Sequence, residues 1–271
     1  SGARGRHFME TTALYDAALL AGFDRFMLPD GARLRYFNFV PNPAERTDSS
    51  LGYMMHQVAL RRGDGQTGWY LRGDEMLADA FVADARAAIA GARPVCIAAT
   101  AFALVHLVDE LEARRIELTL PHGSRLLETG GFKGRSRIVD RDELYRRSSR
   151  RLGIPVDRIV AEYGMTELTS QYYDDVLAGA PAAPAQPRRK ASPPWLRGRA
   201  VGPDGSTLPD GVVGALVHVD LANRSSCIAV ATEDLGVTFG DRLVLLGREQ
   251  GAALRGCSLD AETLTTNSGS A

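Results

Sequence analysis

Between Asp74 and Gly164 the chain alternates stretches long enough for amphipathic helices with short apolar runs suited to buried strands, and this alternation limits the fold more than any other feature. "DEMLADAFVADARAAIAG" sets Leu77, Phe81, Ala85 and Ile89 on one helical stripe and stops at Gly91. "RPVCIAAT" reads as a buried strand, "AFALVHLVDELEARR" as a helix, and "RIELTL" as a strand stopped by Pro121. "SRLLET" is a further strand, and Asp140 with Glu143 forms a capping-box pattern for the helix "RDELYRRSSRRLG". "DRIVAEYG" is the next strand. Strands and helices in this order specify an α/β domain with a mostly parallel sheet, whose ligands sit beyond the carboxyl ends of the strands.

Upstream, residues 11–27 carry Leu14, Ala18, Gly22 and Phe26 four apart, which predicts a helix. Leu34 to Val40 predicts a strand, and "SSLGYMMHQVAL" a helix opened by a serine cap. Gly63, Gly65 and Gly68 in "RRGDGQTGWYLRGD" predict a loop or tight hairpin. Downstream, the Ala- and Pro-rich residues 178–194 predict an irregular connection between an α/β portion, residues 1–177, and a β-rich portion, residues 195–256. In that second portion, Val/Leu/Ile runs broken by Gly and Asp-Gly predict a small region of antiparallel strands. A tail of small and polar residues, 257–271, ends the chain.

Composition narrows the functional classes. With 271 residues the chain can bury a sizeable core, and 32 Lys and Arg against 33 Asp and Glu give no overall charge that would favour nucleic acid. No apolar run is long enough for a membrane span, and the beginning has no secretory core. Cys96, Cys227 and Cys257 are widely spaced, which fits a reducing cytoplasm better than a disulfide framework or a zinc site.

The candidate chemistry lies at three strand ends. Gly130 and Gly131 in "ETGGFKG" would let a flat ligand or phosphate approach the backbone, or serve only as a tight turn; Lys133 could neutralise a phosphate or remain a solvated surface charge. In "EYGMTE", Tyr163 could stack on a base or sit in the core. After Gly164, Thr166 offers a hydroxyl to phosphate and Glu167 a carboxylate to magnesium, or else the two open a helix in which Glu167 occupies the favourable first turn. Asp234 in "TEDLG" could accept both hydroxyls of a ribose, and Arg248 could pair with phosphate or carboxylate, although loop-capping aspartates look the same in sequence. His106 reads as a structural residue of its helix; His7, His56, His122 and His218 are scattered. The dinucleotide and P-loop fingerprints are missing, as is the G-x-S-x-G elbow of a serine hydrolase; a Cys257 nucleophile has no evident partner base.

"EYGMTE" resembles the Tyr-Gly-x-Thr-Glu motif of the adenylate-forming superfamily of acyl-CoA synthetases and adenylation domains. With "LPHGSRLLETGGFKGRSR", "YGMTELTSQYYD", "PPWLRGR", "HVDLANR" and "TEDLG", the chain resembles more narrowly the acyl-protein synthetase family, whose bioluminescence member activates fatty acid. The resemblance implies the large-domain core of that fold, ATP and magnesium as cofactors, a carboxylic acid as substrate, and a thiol, amine or partner protein as acyl acceptor. It implies that Gly130 and Gly131 line the adenine and acid pockets and that Tyr163 lies against adenine. It further implies Thr166 near the α-phosphate, Glu167 on magnesium, Asp234 on ribose and Arg248 on the nucleotide. Ser1, Gly2 and Gly5 of "SGARG" match the superfamily's phosphate loop, with Ala3 and Arg4 where hydroxyl residues are usual. The superfamily's mobile C-terminal domain and its lysine are not evident after Lys190, so a nucleotide-binding subunit without adenylation activity is the alternative expectation.

Overall fold

The computed structural model describes residues 9–73, 75–130, 140–179 and 188–248. In chain order the elements are α1 (Ala13–Met27), β1 (Leu34–Phe39), α2 (Ser50–Arg62), β2 (Gly63–Trp69), β3 (Leu71–Arg72), β4 (Glu75–Met76), α3 (Ala78–Ala90), β5 (Val95–Thr100) and α4 (Ala101–Ala113). There follow β6 (Arg125–Thr129), α5 (Arg141–Leu152), β7 (Ile159–Tyr163), β8 (Tyr172–Asp174), β9 (Lys190–Ala191), β10 (Leu196–Val201), β11 (Gly214–Asp220), β12 (Ala229–Phe239) and β13 (Arg242–Arg248). They form two compact units: one runs from Asp30 to Ala161, and the other takes the chain up to Pro29 and from Glu162 onward. No helix among the described residues is long and apolar enough to cross a membrane.

The Asp30–Ala161 unit is the α/β portion. Strand β1 lies between β2 and β5, and β5 continues to β6, every pair parallel. Phe37 and Phe39 of β1, Ile97 and Ala99 of β5 and Leu126 of β6 point to one face, where they meet Phe81 of α3, Leu104 and Leu107 of α4 and Leu144 of α5. Every residue of β5 and β6 is buried, as parallel strands covered on both faces must be. The helix ends follow their caps. Ser49 Oγ accepts from Gly52 N at 3.1 Å, Thr100 Oγ1 from Ala103 N at 3.1 Å, and Asp140 Oδ1 from Glu143 N at 3.0 Å. Gly153, at φ 69°, closes α5, where a Cβ would stand 2.8 Å from the Thr119 backbone. Arg125 on β6 is 1% exposed and its guanidinium makes a bidentate pair with Asp30 at 3.1 and 2.8 Å.

Two sequence expectations fail in this unit. Residues 63–69 are neither loop nor hairpin but the edge strand β2, parallel to β1, and antiparallel pairing comes only afterwards, between β3 and β4. Two of the glycines there serve close approach: a Cβ on Gly63 would meet the Ala59 carbonyl and one on Gly68 the Tyr70 ring, whereas Gly65 has open space and a φ of 94°. "RIELTL" is not a strand either. Leu118 N and Leu120 N donate to the Arg151 and Leu152 carbonyls, so the segment satisfies the open end of α5 instead of joining a sheet.

The other unit carries the antiparallel region. Strands β10, β11, β12 and β13 pair in sequence; β13 pairs β9, β9 pairs β8, and β8 pairs Glu162 and Tyr163 at the end of β7, all antiparallel. The predicted irregular connection thus contains a short strand at Lys190–Ala191, fixed by a buried ion pair between Lys190 Nζ and Asp174 Oδ1 at 2.8 Å. Helix α1 packs on this sheet through Phe26, stacked on Tyr173 with ring centroids 5.5 Å apart.

Candidate active site

The chain leaves β7 through Gly164, turns once with Leu168 N donating to Met165 O, and enters β8 without forming a helix. The expected helix start after Gly164 is therefore a turn. A Cβ on Gly164 would strike the Glu162 carboxylate, so the backbone there passes too close to its neighbour for any larger residue without displacement. Thr166 is half-buried on this turn, and Glu167 presents its side chain to solvent.

What fixes the turn is the end of β11. The buried Asp220 carboxylate accepts from Thr169 N at 2.9 Å, Ser170 N at 2.8 Å, Ser170 Oγ at 2.9 Å and Ala222 N at 3.0 Å. Asn223, also buried, donates to the Glu167 and Cys227 carbonyls at 2.8 Å each and accepts from Thr169 Oγ1 at 3.0 Å. Trp195 Nε1 donates to Ser170 Oγ at 2.9 Å. The backbone beside Glu167 is thus held by a carboxylate with both oxygens filled and by an amide with both ends used.

Tyr163, Asp234 and Arg248 meet, although they come from three strands. Tyr163 Oη donates to Asp234 Oδ2 at 2.7 Å and Arg248 Nε donates to Asp234 Oδ1 at 2.8 Å. Register explains the second bond, since Asp234 and Arg248 are cross-strand partners of β12 and β13. His218 of β11, fully buried, bridges Tyr163 and Tyr172: its Nε2 lies 3.2 Å from Tyr163 Oη and its Nδ1 2.9 Å from Tyr172 Oη. Burial raises the Tyr163 phenol well above its ordinary value, with the Asp234 charge adding to the shift. Burial also pushes His218 down to about 4, against the pull of Asp234, so the ring is neutral at pH 7. Below these groups lies the apolar cluster of Leu168, Tyr172, Leu196, Leu216 and Leu243, against which Tyr163 and Met165 pack.

Of the other sequence candidates, Gly130 ends β6 in the Asp30–Ala161 unit at φ 83°, a conformation that favours glycine. Ser1, Gly2, Gly5, Gly131, Lys133 and Cys257 lie outside the described residues. Tyr172 lies within "YGMTELTSQYYD" and His218, Asp220 and Asn223 within "HVDLANR", but the sequence assigns none of the four a role. The available signal was the two-residue period of "ALVHVD", which puts His218 and Asp220 in phase with the buried Leu216.

The fold is that of the adenylate-forming enzymes. The chain superposes on the amide bond synthetase McbA from Marinactinospora thermotolerans with TM-score 0.60 and 17% identity, over 90% of this chain and 47% of that one. It superposes on ATP-bound MatB from Rhodopseudomonas palustris with TM-score 0.60 and 13% identity, over 87% and 44%. For the o-succinylbenzoate coenzyme A synthetase MenE from Bacillus subtilis, in complex with ATP and magnesium ion, the values are 0.57 and 15%, over 88% and 46%. The chain therefore spans less than half the length of these solved structures. No curated protein sequence matches it. Residues 73–265, well over half of the chain, match the family described as acyl-protein synthetase, LuxE, and the chain belongs to that family.

Proposed function

We propose that the chain binds ATP with magnesium, activates a carboxylic acid as an acyl-adenylate, and passes the acyl group to a thiol, an amine or a partner protein. The observation that carries this reading is the Asp234 carboxylate held from both sides by Tyr163 and Arg248. Each of its oxygens accepts one hydrogen bond from them and retains acceptor capacity, which fits the two hydroxyls of a ribose. Tyr163 would lie against adenine, and Gly130 and Gly131 would leave room for the base and the acid.

Magnesium fits the exposed Glu167 on chemical grounds. Groups of three or more potential metal ligands are missing among the described residues, and magnesium is commonly held by one or two carboxylates together with substrate phosphates. Glu167 would hold the ion, which would neutralise phosphate charge. Thr166 would donate its hydroxyl to an α-phosphate oxygen, and Lys133, Arg248 and the "SGARG" residues Ser1, Gly2 and Gly5 would face the phosphate chain.

The acid is already ionised at pH 7, so the protein supplies no base for the first step. A carboxylate oxygen bonds to the α-phosphorus as the bond to the bridging oxygen of pyrophosphate breaks. The residues' work is to align two anions and to stabilise the charge that develops on phosphate. The backbone fixed from Glu167 to Ser170 by Asp220 and Asn223 suits that task, because it holds in place the turn that carries Thr166 and Glu167.

Exchange of labelled pyrophosphate into ATP across a panel of carboxylic acids tests the proposal. Acid-dependent exchange is expected, and Glu167→Ala should suppress it at least about a hundredfold. ATP binding without exchange on any acid would replace this reading with that of a nucleotide-binding subunit, the alternative to which Ala3 and Arg4 of the first loop point.

A further inference from the structure

Hydrogen-bond donors can be counted along the chain Tyr172, His218, Tyr163, Asp234, and only one arrangement of protons satisfies it. Ionised Asp234 can only accept, so the single proton of the Tyr163 hydroxyl lies on the 2.7 Å contact to Oδ2. Tyr163 Oη then accepts from His218, which requires the proton on Nε2. Nδ1 is left bare and accepts from Tyr172 Oη at 2.9 Å. The opposite tautomer would set two proton-free oxygens against each other between Tyr163 and Asp234.

The room for this arrangement is built into the facing strand. Gly198 of β10 is the cross-strand partner of His218. A Cβ at Gly198 would lie 3.2 Å from Tyr172 Oη, 3.6 Å from His218 Nδ1 and 2.7 Å from Leu243. The fully buried imidazole therefore has a hydroxyl partner on each nitrogen and a missing side chain above one of them. Tyr163, Tyr172 and Asp234 face His218 from β7, β8 and β12, with Arg248 of β13 on the far side of Asp234, and Asp220 of β11 and Arg197 of β10 act on Tyr172.

We infer that His218 is a positioning residue: as the Nε2–H tautomer it holds the Tyr163 hydroxyl on Asp234, and so turns one open acceptor site of each Asp234 oxygen toward a vicinal diol. The inference rests on the reading of Asp234 as a ribose-binding carboxylate. His218 itself would touch no nucleotide. If Tyr163 were free to rotate, its proton could leave Oδ2, and Asp234 would swing on Arg248 alone.

Two measurements test this separately. The first is the ring-nitrogen spectrum of 15N-histidine-labelled chain without nucleotide, assigned with His218→Gln. A proton on Nε2, a bare Nδ1 and no titration from pH 5.5 to 8.5 are expected; a proton on Nδ1, or a midpoint near that of free histidine, overturns the inference. The second compares dissociation constants for ATP and 2′-deoxy-ATP, each with magnesium, in wild type, Tyr172→Phe and His218→Leu. The wild type should prefer ATP by roughly tenfold or more, the effect of one charge-assisted hydrogen bond. In the variants the preference should shrink to within about threefold, with 2′-deoxy-ATP affinity nearly unchanged. Equal weakening of both nucleotides, or an undiminished preference, overturns the positioning role while leaving the ribose reading intact. A wild type that binds neither nucleotide, or both alike, sinks the ribose reading and the inference with it. Tyr172→Phe removes one hydroxyl only and keeps the test available should His218→Leu fail to fold.

Discussion

Asp234 draws its geometry from two half-buried donors of different character, a neutral phenol and a charged guanidinium, and the two should be separable by mutation. Tyr163→Phe removes the donor to Oδ2 and leaves the ring; we expect weaker discrimination between ATP and 2′-deoxy-ATP, by about three- to tenfold, measured by titration calorimetry. Arg125 is a different case, since it is buried and paired to Asp30. Asp30→Asn should cost about 2 kcal/mol in urea unfolding, because it removes the charge that faces a buried guanidinium and one of the two carboxylate oxygens that accept from it. Tyr163, Asp234 and Arg248 were legible as separate motif positions, each with a bland alternative. Their convergence was not legible, because it depends on register between β12 and β13 and on a strand some seventy residues earlier in the chain. His218 opens the motif "HVDLANR", but the motif assigns it no role: a histidine in a strand has the same appearance whether its ring is idle or bridges two tyrosines.

Asp220 and Asn223 tie one element to another, and their removal should be felt as loosening of the turn before β8. For Asp220→Asn we expect a loss of about 2 kcal/mol, since the new amide group presents hydrogens to backbone N–H groups that need an acceptor. Pyrophosphate exchange should fall in the same variant even at temperatures where it is fully folded. Asp140→Ala, by contrast, removes an exposed N-cap from α5 and should cost about 1 kcal/mol, with exchange unaffected. At this scale the sequence was a good guide wherever period and cap agree, as in α2, α3, α4, α5, β5, β6 and β7. It misled where one signal has two causes. Gly63 and Gly68 mark close backbone approach where glycine also signals a turn, and "RIELTL" has the composition of a strand but spends its N–H groups on the end of a helix.

For the whole molecule, the buried neutral His218 makes stability depend on pH. Its native value lies near 4, below the ordinary value of 6.5, so the unfolded chain takes up a proton that the folded chain refuses. Its contribution is complete above about pH 6.5 and is lost as pH falls to about 4, by as much as about 3 kcal/mol. Urea midpoints measured from pH 7 to 4 should follow that limb, and His218→Gln should flatten it. Asp30 adds a lower limb: the hydrogen bonds from Arg125 hold it down to about 2, so that pair persists until pH falls from near 4 towards 2. The α/β class and the antiparallel region were both legible from periodicity. The division into units was not, because α1 packs with strands that lie far later in the chain, and a run of residues read in order gives no sign of such a return.

Trp195 gives the turn beside Glu167 an optical reporter of its own. The chain has two tryptophans, Trp69 on β2 and Trp195, whose indole N–H ends on Ser170 Oγ and through it on Asp220. A Trp69→Phe chain would therefore have a single fluorophore wired to the hydrogen bonds that hold the motif. Its emission would change when those bonds loosen, so that the effect of Asp220→Asn on the turn could be read without label or coupled assay.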